Sequence, residues 1–253
     1  MKQSTPGGGR VRVWTFSLGV SVPDMRRLDS ILSENELITA ARRASGRPRA
    51  EYLATRVAVR SLLAQHLGER PGNLRFTTSP DGKPEVVDAT THFNVSHSNR
   101  LGLLAVSDDA EVGVDVEHVD AGLDVDALAP RVLGADEASG LARAGSLRTE
   151  LFYRYWTCKE SYLKGIGCGL RRAPAEVEIR FAGRRPGRPG SARVTGGDTW
   201  SVLELLPAAR YVAAVATREP LSHIELADWT SNDERIFPDQ RICDKLIKEG
   251  NHQ

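Results

Sequence analysis

The chain has 253 residues, of which 40% are hydrophobic and 26% are charged, and its 34 lysines and arginines nearly balance 33 aspartates and glutamates. These totals are typical of a globular protein with a core of its own, and a formal net charge of +1 gives no overall attraction to nucleic acid. The chain lacks a run of 18 apolar residues and an N-terminal secretory signal, so we expect a cytoplasmic protein that enters no membrane. Its three cysteines lack C-x-x-C spacing and predict neither disulfides nor a zinc site.

The N-terminal third is predicted to contain a strand followed by helices. Val11–Val20 has the composition of a strand, residues 24–44 form a polar helical region, and Arg49–Leu67 has the spacing of a stronger helix that ends at Gly68. Six arginines fall within nineteen positions: Arg42, Arg43, Arg47, Arg49, Arg56 and Arg60. Arg49 and Arg56 share a helix face because they are seven residues apart. Solvated surface arginines and contacts to a phosphate-bearing ligand are both open interpretations.

The next part of the chain is predicted to form antiparallel sheet. A tight turn at Asp81–Gly82 places Lys83 at its tip, and three short strands follow: Thr91–Ser96, Leu101–Val106 and Val112–Glu117. His97 directly follows the first of these strands and lies between Ser96 and Ser98. A cluster of this kind is either structural or suited to binding a phosphate or a ribose.

The last of these strands carries two acids on one face. Its valines alternate with Gly113, Asp115 and Glu117, so the valines are expected to face the core and the two carboxylates to share the opposite face, about 7 Å apart. Like charges in this arrangement weaken a strand, which favours a cation bound between them, and an exposed strand end is the alternative. Gly113 is expected to leave space for a ligand to approach the backbone.

A helix that runs into a glycine-rich loop is predicted over Phe152–Leu170. Its apolar residues recur at helical spacing and form a core-facing stripe: Leu151, Tyr155, Cys158, Tyr162 and Ile166. Trp156, Glu160 and Lys164 are four residues apart and line one edge of that stripe. This row either contains a surface ion pair or borders a cleft.

The remaining segments predict an α+β fold. Residues 119–146 are helical in part, and further strands are expected at Glu176–Phe181, Trp200–Leu206 and Tyr211–Thr217, with a polar loop at Ala182–Gly197. Because helices and strands occur twice, we expect two pseudo-symmetric halves, each an antiparallel sheet packed with helices. The expected boundaries are 10–117 for the first half, 118–218 for the second and 219–253 for a peripheral tail.

Three carboxylates without nearby histidine or cysteine ligands, Asp115, Glu117 and Glu160, predict a Mg²⁺ site. Magnesium is a hard ion that takes oxygen ligands and shares itself between carboxylates, waters and a phosphate. The expected chemistry is therefore at a phosphate.

Several motifs resemble those of the 4′-phosphopantetheinyl transferase superfamily. The two signature motifs correspond to GVDVE at 113–117 and WTCKESYLKGIGCGL at 156–170, and the secondary motifs to GKP at 82–84, FNVSHS at 93–98 and RAEYLATRVAVR at 49–60. The length is similar to that of the large, single-chain, surfactin-synthetase-activating type. Cys158 and Cys168 depart from the more usual residues of the second motif, and the segment before Arg49 aligns poorly.

The resemblance implies a monomeric, Mg²⁺-dependent enzyme that transfers the 4′-phosphopantetheine arm of coenzyme A to a serine of an acyl- or peptidyl-carrier protein domain and releases adenosine 3′,5′-bisphosphate. It implies that Asp115, Glu117 and Glu160 bind the metal and that Asp115 also contributes to catalysis and coenzyme A binding. Glu160 would take the serine proton directly or through a metal-bound water, and Lys164 would stabilise the leaving phosphate. The other implied contacts to coenzyme A are Arg49, Arg56, Lys83, Ser96 and His97, with one of Arg42, Arg43 and Arg47 as a further candidate.

Two other functions remain as alternatives. A non-catalytic RNA- or nucleotide-binding module built on the arginine-rich helix would interleave aromatic residues with the basic ones, and residues 42–60 offer only Tyr52. A Mg²⁺-dependent phosphohydrolase would explain the acids but not Trp156. The carrier that the enzyme serves, in fatty-acid, polyketide or nonribosomal-peptide synthesis, does not follow from the sequence.

Overall fold

The structure is a computed structural model that describes residues 9–19, 25–168, 171–182, 190–195, 200–218 and 221–229. The chain forms two compact units, one of Met1–Thr15 with Phe76–Ala227 and one of Phe16–Arg75 with Asp228–Gln253. Among the described residues, no helix combines the length and the apolar character needed to cross a bilayer. The predicted tail beyond residue 229 lies outside the described residues.

Among its described residues, the smaller unit contains the α-helices α1 (Met25–Ile31), α2 (Glu34–Arg42) and α3 (Arg47–Leu67). Ser33 caps α2 through a reciprocal pair of hydrogen bonds with Glu36, and α3 ends where Gly68 adopts a left-handed conformation. The predicted stop of the long helix at Gly68 is therefore confirmed. A compact core joins the three helices: Leu28, Ile31, Leu32, Ala40, Leu53 and Val57.

The larger unit contains the other helices and nearly all of the strand residues. Its helices are α4 (Val125–Val132), α5 (Ala135–Ala142) and α6 (Arg148–Gly165). The strands are β1 (Gly9–Ser17), β2 (Phe76–Thr78), β3 (Pro84–Val86), β4 (His92–Ser98), β5 (Leu101–Ser107), β6 (Val112–His118), β7 (Glu178–Ala182), β8 (Ser191–Thr195), β9 (Ser201–Leu205), β10 (Tyr211–Thr217) and β11 (Leu221–Trp229). The α+β class is confirmed.

The strands form a four-stranded sheet in the order β11-β1-β5-β4, a five-stranded sheet in the order β6-β10-β9-β8-β7, and the β2-β3 hairpin. The β4–β5 pair and every pair of the five-stranded sheet are antiparallel. Strands β8 and β11 were not expected: β8 replaces part of the predicted loop at 182–197, and β11 occupies part of the predicted tail. The apolar residues of β8, Ala192 and Val194, alternate with polar ones, but the strand has only five residues and follows a sequence rich in glycine, proline and arginine, which favours a loop.

Strand pairing does not follow the predicted boundary between residues 117 and 118. β6 precedes this boundary, yet it pairs with β10, and Asp115 lies opposite Ala214. The predicted pseudo-symmetry of segments 10–117 and 118–218 stays a prediction.

Helix α6 supplies much of the core against the five-stranded sheet. The predicted stripe is confirmed, since Tyr155, Cys158 and Tyr162 are buried and Leu151 and Ile166 pack beside them. The three valines of β6 are fully buried in a second cluster, together with residues of β1, β5 and β10.

β6 and α6 come unusually close at two glycines. A Cβ added to Gly113 would overlap the Ser161 carbonyl oxygen and the Gly165 amide nitrogen, and a Cβ on Gly165 would lie 2.5 Å from the Trp200 ring. The expectation that Gly113 leaves space for a ligand is therefore wrong, because the backbone of α6 fills that space. These glycines set how closely strand and helix can pack.

Replacing Gly113 with alanine should destabilise the protein by about 1–3 kcal/mol or more, because a well-packed contact between two backbones would have to open. Gly140→Ala is a matched control, since its Cβ would meet the Tyr155 hydroxyl at an ordinary 3.5 Å and alanine favours the helix. Urea denaturation of both variants measures the difference. Equal stability of the two variants would show that the strand can shift away from α6 at little cost.

Candidate active site

Side chains from β4, β6 and α6 meet beside this close contact. Asp115 and Glu117 lie on the face of β6 opposite to the buried valines, as the alternation predicts. Glu160 and Lys164 come from the last turns of α6, and Ser96 and Ser98 lie two residues apart on one face of β4. All of these elements belong to the larger unit.

Asp115, Lys164 and Ser96 form a hydrogen-bonded triangle. Lys164 Nζ donates to Asp115 Oδ1 at 2.6 Å and to Ser96 Oγ at 2.9 Å, and Ser96 Oγ donates to the same Asp115 oxygen at 2.8 Å. Burial raises the pKa of Asp115, and the Lys164 ammonium offsets this increase in part. The other carboxylate oxygen, Asp115 Oδ2, is buried and has no hydrogen-bond partner in the described part of the chain.

Glu117 is held through both of its carboxylate oxygens. Ser98 Oγ donates to Oε2 at 2.8 Å, and Trp156 Nε1 donates to Oε1 at 3.3 Å. Ser98 Oγ also accepts the His118 amide at 3.1 Å, so the hydroxyl connects the strand backbone to the carboxylate. Burial is the main reason that the pKa of Glu117 is raised, and the charge of Asp115 adds to it.

Glu160 is half-buried and, among the described residues, has no hydrogen-bond or ion-pair partner. Burial raises its pKa, the negative charges of Asp115 and Glu117 raise it further, and Lys164 lowers it. The three carboxylates thus repel one another in a poorly solvated place, which a bound cation would relieve.

The donor chemistry fits the predicted Mg²⁺, although no ready-made ligand cluster exists. In the part of the chain that the structure describes, no three His, Cys, Asp or Glu side chains stand together in an arrangement that could hold a metal. Asp115 Oδ2, buried without a partner among the described residues, and the half-buried Glu160 carboxylate nevertheless offer oxygen atoms that a cation could bind. Oxygen donors without nitrogen or sulfur suit a hard cation.

Two further predicted contacts lie elsewhere on the larger unit. His97 is exposed and, by strand alternation, points to the face of β4 opposite to Ser96 and Ser98. The structure therefore joins the two hydroxyls, but not the imidazole, to the carboxylates. Lys83 follows the turn between β2 and β3, and its Nζ donates to the Gly165 carbonyl at 2.9 Å and the Val112 carbonyl at 3.1 Å.

The five predicted arginines belong to the smaller unit, and four of them have partners there; Arg42 is exposed. Arg49 donates to the carbonyls of Ala41 and Arg43 at 3.0 and 3.1 Å. Arg56 pairs with Glu36 at 2.5 Å. Arg47 pairs with Glu51 at 2.6 Å, and the Arg43 guanidinium lies 4.5 Å from the centre of the Tyr52 ring.

The 4′-phosphopantetheinyl transferase superfamily model matches residues 111–216, which include β6 and α6. The 4′-phosphopantetheinyl transferase HetI of Nostoc sp. is 34% identical to the chain over 211 residues, covering 81% of this chain and 86% of the relative. The chain belongs to this family.

Other relatives of the transferase share a shorter region. A putative 4′-phosphopantetheinyl transferase of Synechocystis sp. is 37% identical and covers 56% of this chain and 59% of its own. The 4′-phosphopantetheinyl transferase Sfp of Bacillus subtilis is 35% identical over a region that covers 49% of this chain and 55% of Sfp. A crystal structure of holo-[acyl-carrier-protein] synthase from Thermotoga maritima has a TM-score of 0.34 at 21% identity, covering 43% of this chain and 62% of that one.

Two contacts that support the candidate site were not predicted. Asn94 Oδ1 accepts the Val114 amide at 2.9 Å and so links β4 to β6, and Ser98 orients Glu117. Ser98 could have been found from its spacing, since residues two apart on a strand share a face and Ser96 was already a candidate. Asn94 carried no comparable signal, because its partner is a backbone amide.

Glu160→Gln should stabilise the ligand-free protein near pH 7 and have no effect at low pH. The raised pKa means that the folded state disfavours the charged form of Glu160. The folded wild-type protein therefore loses stability at pH values above the folded-state pKa, and it loses none below the unfolded-state pKa of about 4.3. The gain should be a few tenths to about 1 kcal/mol, the range for removing a like-charge neighbour.

Chemical denaturation in EDTA from pH 4 to pH 8 measures this gain. Exposed Glu176 supplies the control variant Glu176→Gln, which should show no such pH-dependent gain. A Glu160→Gln variant less stable than wild type at pH 7 would contradict the repulsion described above.

Proposed function

We propose that this transferase moves the 4′-phosphopantetheine group of coenzyme A onto a serine of an acyl- or peptidyl-carrier protein domain and releases adenosine 3′,5′-bisphosphate. The observation that carries the proposal is the ion pair between buried Asp115 and partly exposed Lys164. Beside it, among the described residues, Asp115 Oδ2 and the Glu160 carboxylate have no hydrogen-bond partner. A cation and an ammonium side by side would offset the negative charges of a pyrophosphate, the group that coenzyme A contains. The resemblance to the single-chain type supports a monomer, and the sequence supports a cytoplasmic location without nucleic acid or membrane partners.

The residues that would hold Mg²⁺ are Asp115, Glu117 and Glu160. When bound, the ion would neutralise charge on the pyrophosphate of coenzyme A, the main electrostatic task in transfer at phosphorus. Ser98 and Trp156 contribute by keeping both oxygens of Glu117 in a fixed orientation before any ligand arrives.

In the reaction, the serine oxygen forms a bond to the phosphorus that carries the pantetheine arm, and the bond from that phosphorus to the bridging oxygen breaks. Glu160 accepts the serine proton, a role for which its raised pKa brings its basicity closer to neutral pH. The serine oxygen can then attack as its proton leaves.

Lys164 stabilises the departing phosphate. Its ammonium uses two donors on Asp115 and Ser96, so one of its three N–H groups is left for the substrate. The side chain is 30% exposed and therefore within reach of a ligand in solution. Asp115 holds the ammonium in a fixed position, which is its contribution to catalysis.

Ser96 and His97 are proposed contacts of the coenzyme A phosphates on the larger unit, together with Lys164. Arg49 and Arg56 are further proposed contacts, which the motif resemblance alone supports. Their present partners, backbone carbonyls for Arg49 and Glu36 for Arg56, give each a structural role as an alternative.

Incubation of the protein with coenzyme A, Mg²⁺ and an apo carrier domain tests the proposal, with the carrier weighed by mass spectrometry. A mass increase equal to one phosphopantetheine group on the carrier serine is the expected result. Hydrolysis of coenzyme A without a modified carrier would support a phosphohydrolase instead. RNA binding without either reaction would support a nucleic-acid-binding module.

Asp115→Ala and Glu160→Ala should each lower the transfer rate about a hundredfold or more while the fold persists, because each removes charge stabilisation from the reacting phosphate. Circular dichroism checks the fold, and exposed Glu176→Ala is the control with a lost carboxylate outside the site. Rates within a few-fold of wild type at saturating Mg²⁺ would remove these two residues from the site.

Arg49→Ala should raise KM for coenzyme A about tenfold, leave KM for the carrier nearly unchanged and lose effect in high salt, because a charge-assisted phosphate contact contributes uniform binding. If Arg49 binds the 3′-phosphate, the mutation should add nothing when dephospho-coenzyme A is the substrate. Exposed Arg70→Ala controls for lost positive charge. Equal weakening of both substrates would leave Arg49 with its structural role. The better candidates for the 3′-phosphate would then be His97 or one of Arg42, Arg43 and Arg47.

A further inference from the structure

The Lys83 side chain bridges the two elements that meet at the glycine contact. Its ammonium donates to the carbonyl of Gly165, the last residue of α6, and to that of Val112, the first residue of β6. Gly113 follows Val112 directly, and Lys164 directly precedes Gly165. The hydrogen bonds of Lys83 therefore end at the close contact itself, beside the catalytic residue Lys164.

The carbonyl at the end of α6 is one that an ammonium can satisfy well. The last four carbonyls of a helix have no partner within the helix, and the helix dipole places partial negative charge there. After α6, the Ile166 amide donates to the Tyr162 carbonyl and the Gly167 amide to the Lys164 carbonyl. Lys83 satisfies the Gly165 carbonyl from a different part of the chain.

The turn that carries Lys83 is itself braced against the loop after α6. Within the turn, Ser79 Oγ accepts the Lys83 amide at 3.1 Å, and the Ser79 amide donates to the Lys83 carbonyl at 2.8 Å. Asp81 forms an ion pair with Arg171 in the loop beyond α6. The lysine backbone is thus held in place before any ligand binds.

The ammonium of Lys83 is partly buried and uses most of its donors within the protein. Burial lowers the pKa of Lys83, and the charges of Glu111 and Glu85 act in the opposite direction. Two of its three donors already have backbone acceptors, so at most one is left for a ligand.

We propose that Lys83 is a positioning residue, whose ammonium fastens the end of α6 to the start of β6 and thereby keeps Lys164 against Asp115. The expected effect on catalysis rests on the proposed function. The role itself differs from the contact to a coenzyme A phosphate that the motif resemblance implies for Lys83. A displacement of about 1 Å at a catalytic group can cost up to about a hundredfold in rate, so the fastening affects turnover more than binding.

Lys83→Met, which keeps most of the stem and removes the ammonium, separates the two roles. For a positioning residue, kcat should fall about tenfold or more with KM for coenzyme A within threefold, and the ratio should not depend on salt. For a phosphate ligand, KM should rise about tenfold with kcat unchanged, and high salt should reduce the effect. The second result would overturn the proposal.

Hydrogen exchange of the ligand-free protein gives a readout that does not need activity. The amides of Ile166 and Gly167 should exchange at least fivefold faster in Lys83→Met, because the end of α6 is no longer fastened. Unchanged exchange would contradict the proposal. If wild type fails to modify a carrier, the proposed function fails, and this measurement still tests the bridge.

Arg171→Met is the matched control, since it removes a cation from the same turn-to-loop contact but leaves both carbonyl contacts of Lys83 intact. Because Arg171 and Asp81 form an exposed pair, kcat and exchange should stay within twofold of wild type. Effects as large as those of Lys83→Met would show that any loosening of the turn suffices and would contradict the specific role. Should Lys83→Met not fold, Lys83→Gln takes its place in both measurements.

Discussion

The close contact between β6 and α6 is the constraint on which the rest of the site depends. A strand and a helix can come this near only where neither has a side chain, and Gly113 and Gly165 meet that condition. With the two backbones in contact, Asp115, two residues along the strand, comes within 2.6 Å of Lys164, the residue before Gly165. A Cβ at position 113 would separate the two elements, and one at position 165 would collide with Trp200. The positions of the charges therefore follow from a packing requirement rather than from the charges themselves.

The same closeness gives the site its electrostatic character. Asp115 is only 3% exposed, and neighbouring Glu117 and Glu160 also have raised pKa values because burial and mutual repulsion disfavour their charges. One ammonium and two serine hydroxyls offset part of this cost. The remaining excess of negative charge weakens the folded protein, and a bound cation would relieve it. Stability and function therefore make opposite demands on these three side chains.

Local periodicity was enough to predict the faces of β6 and α6, because burial alternates every two residues on a strand and about every 3.6 on a helix. Periodicity could not predict what each face would meet. It left space for a ligand beside Gly113, where the structure has the backbone of α6. It placed Lys83 at the tip of a turn, but its two acceptors are carbonyls 29 and 82 residues away in sequence. Backbone acceptors leave no trace in side-chain identity, so such contacts appear only once the fold is known.

Two lysines of α6 show why residue type alone does not identify a functional charge. Lys159 is completely buried, and its ammonium contacts Glu137, the Val132 carbonyl at 2.7 Å and the Pro174 carbonyl at 3.1 Å. All three of its donors are used, so it fastens α6 to the segments around α5 and cannot serve a ligand. Lys164, five residues later, has rotated about 140° around the helix to the face that meets β6. It keeps one donor and partial exposure. The unused hydrogen-bonding capacity, rather than the presence of a buried ion pair, distinguishes the site from the core.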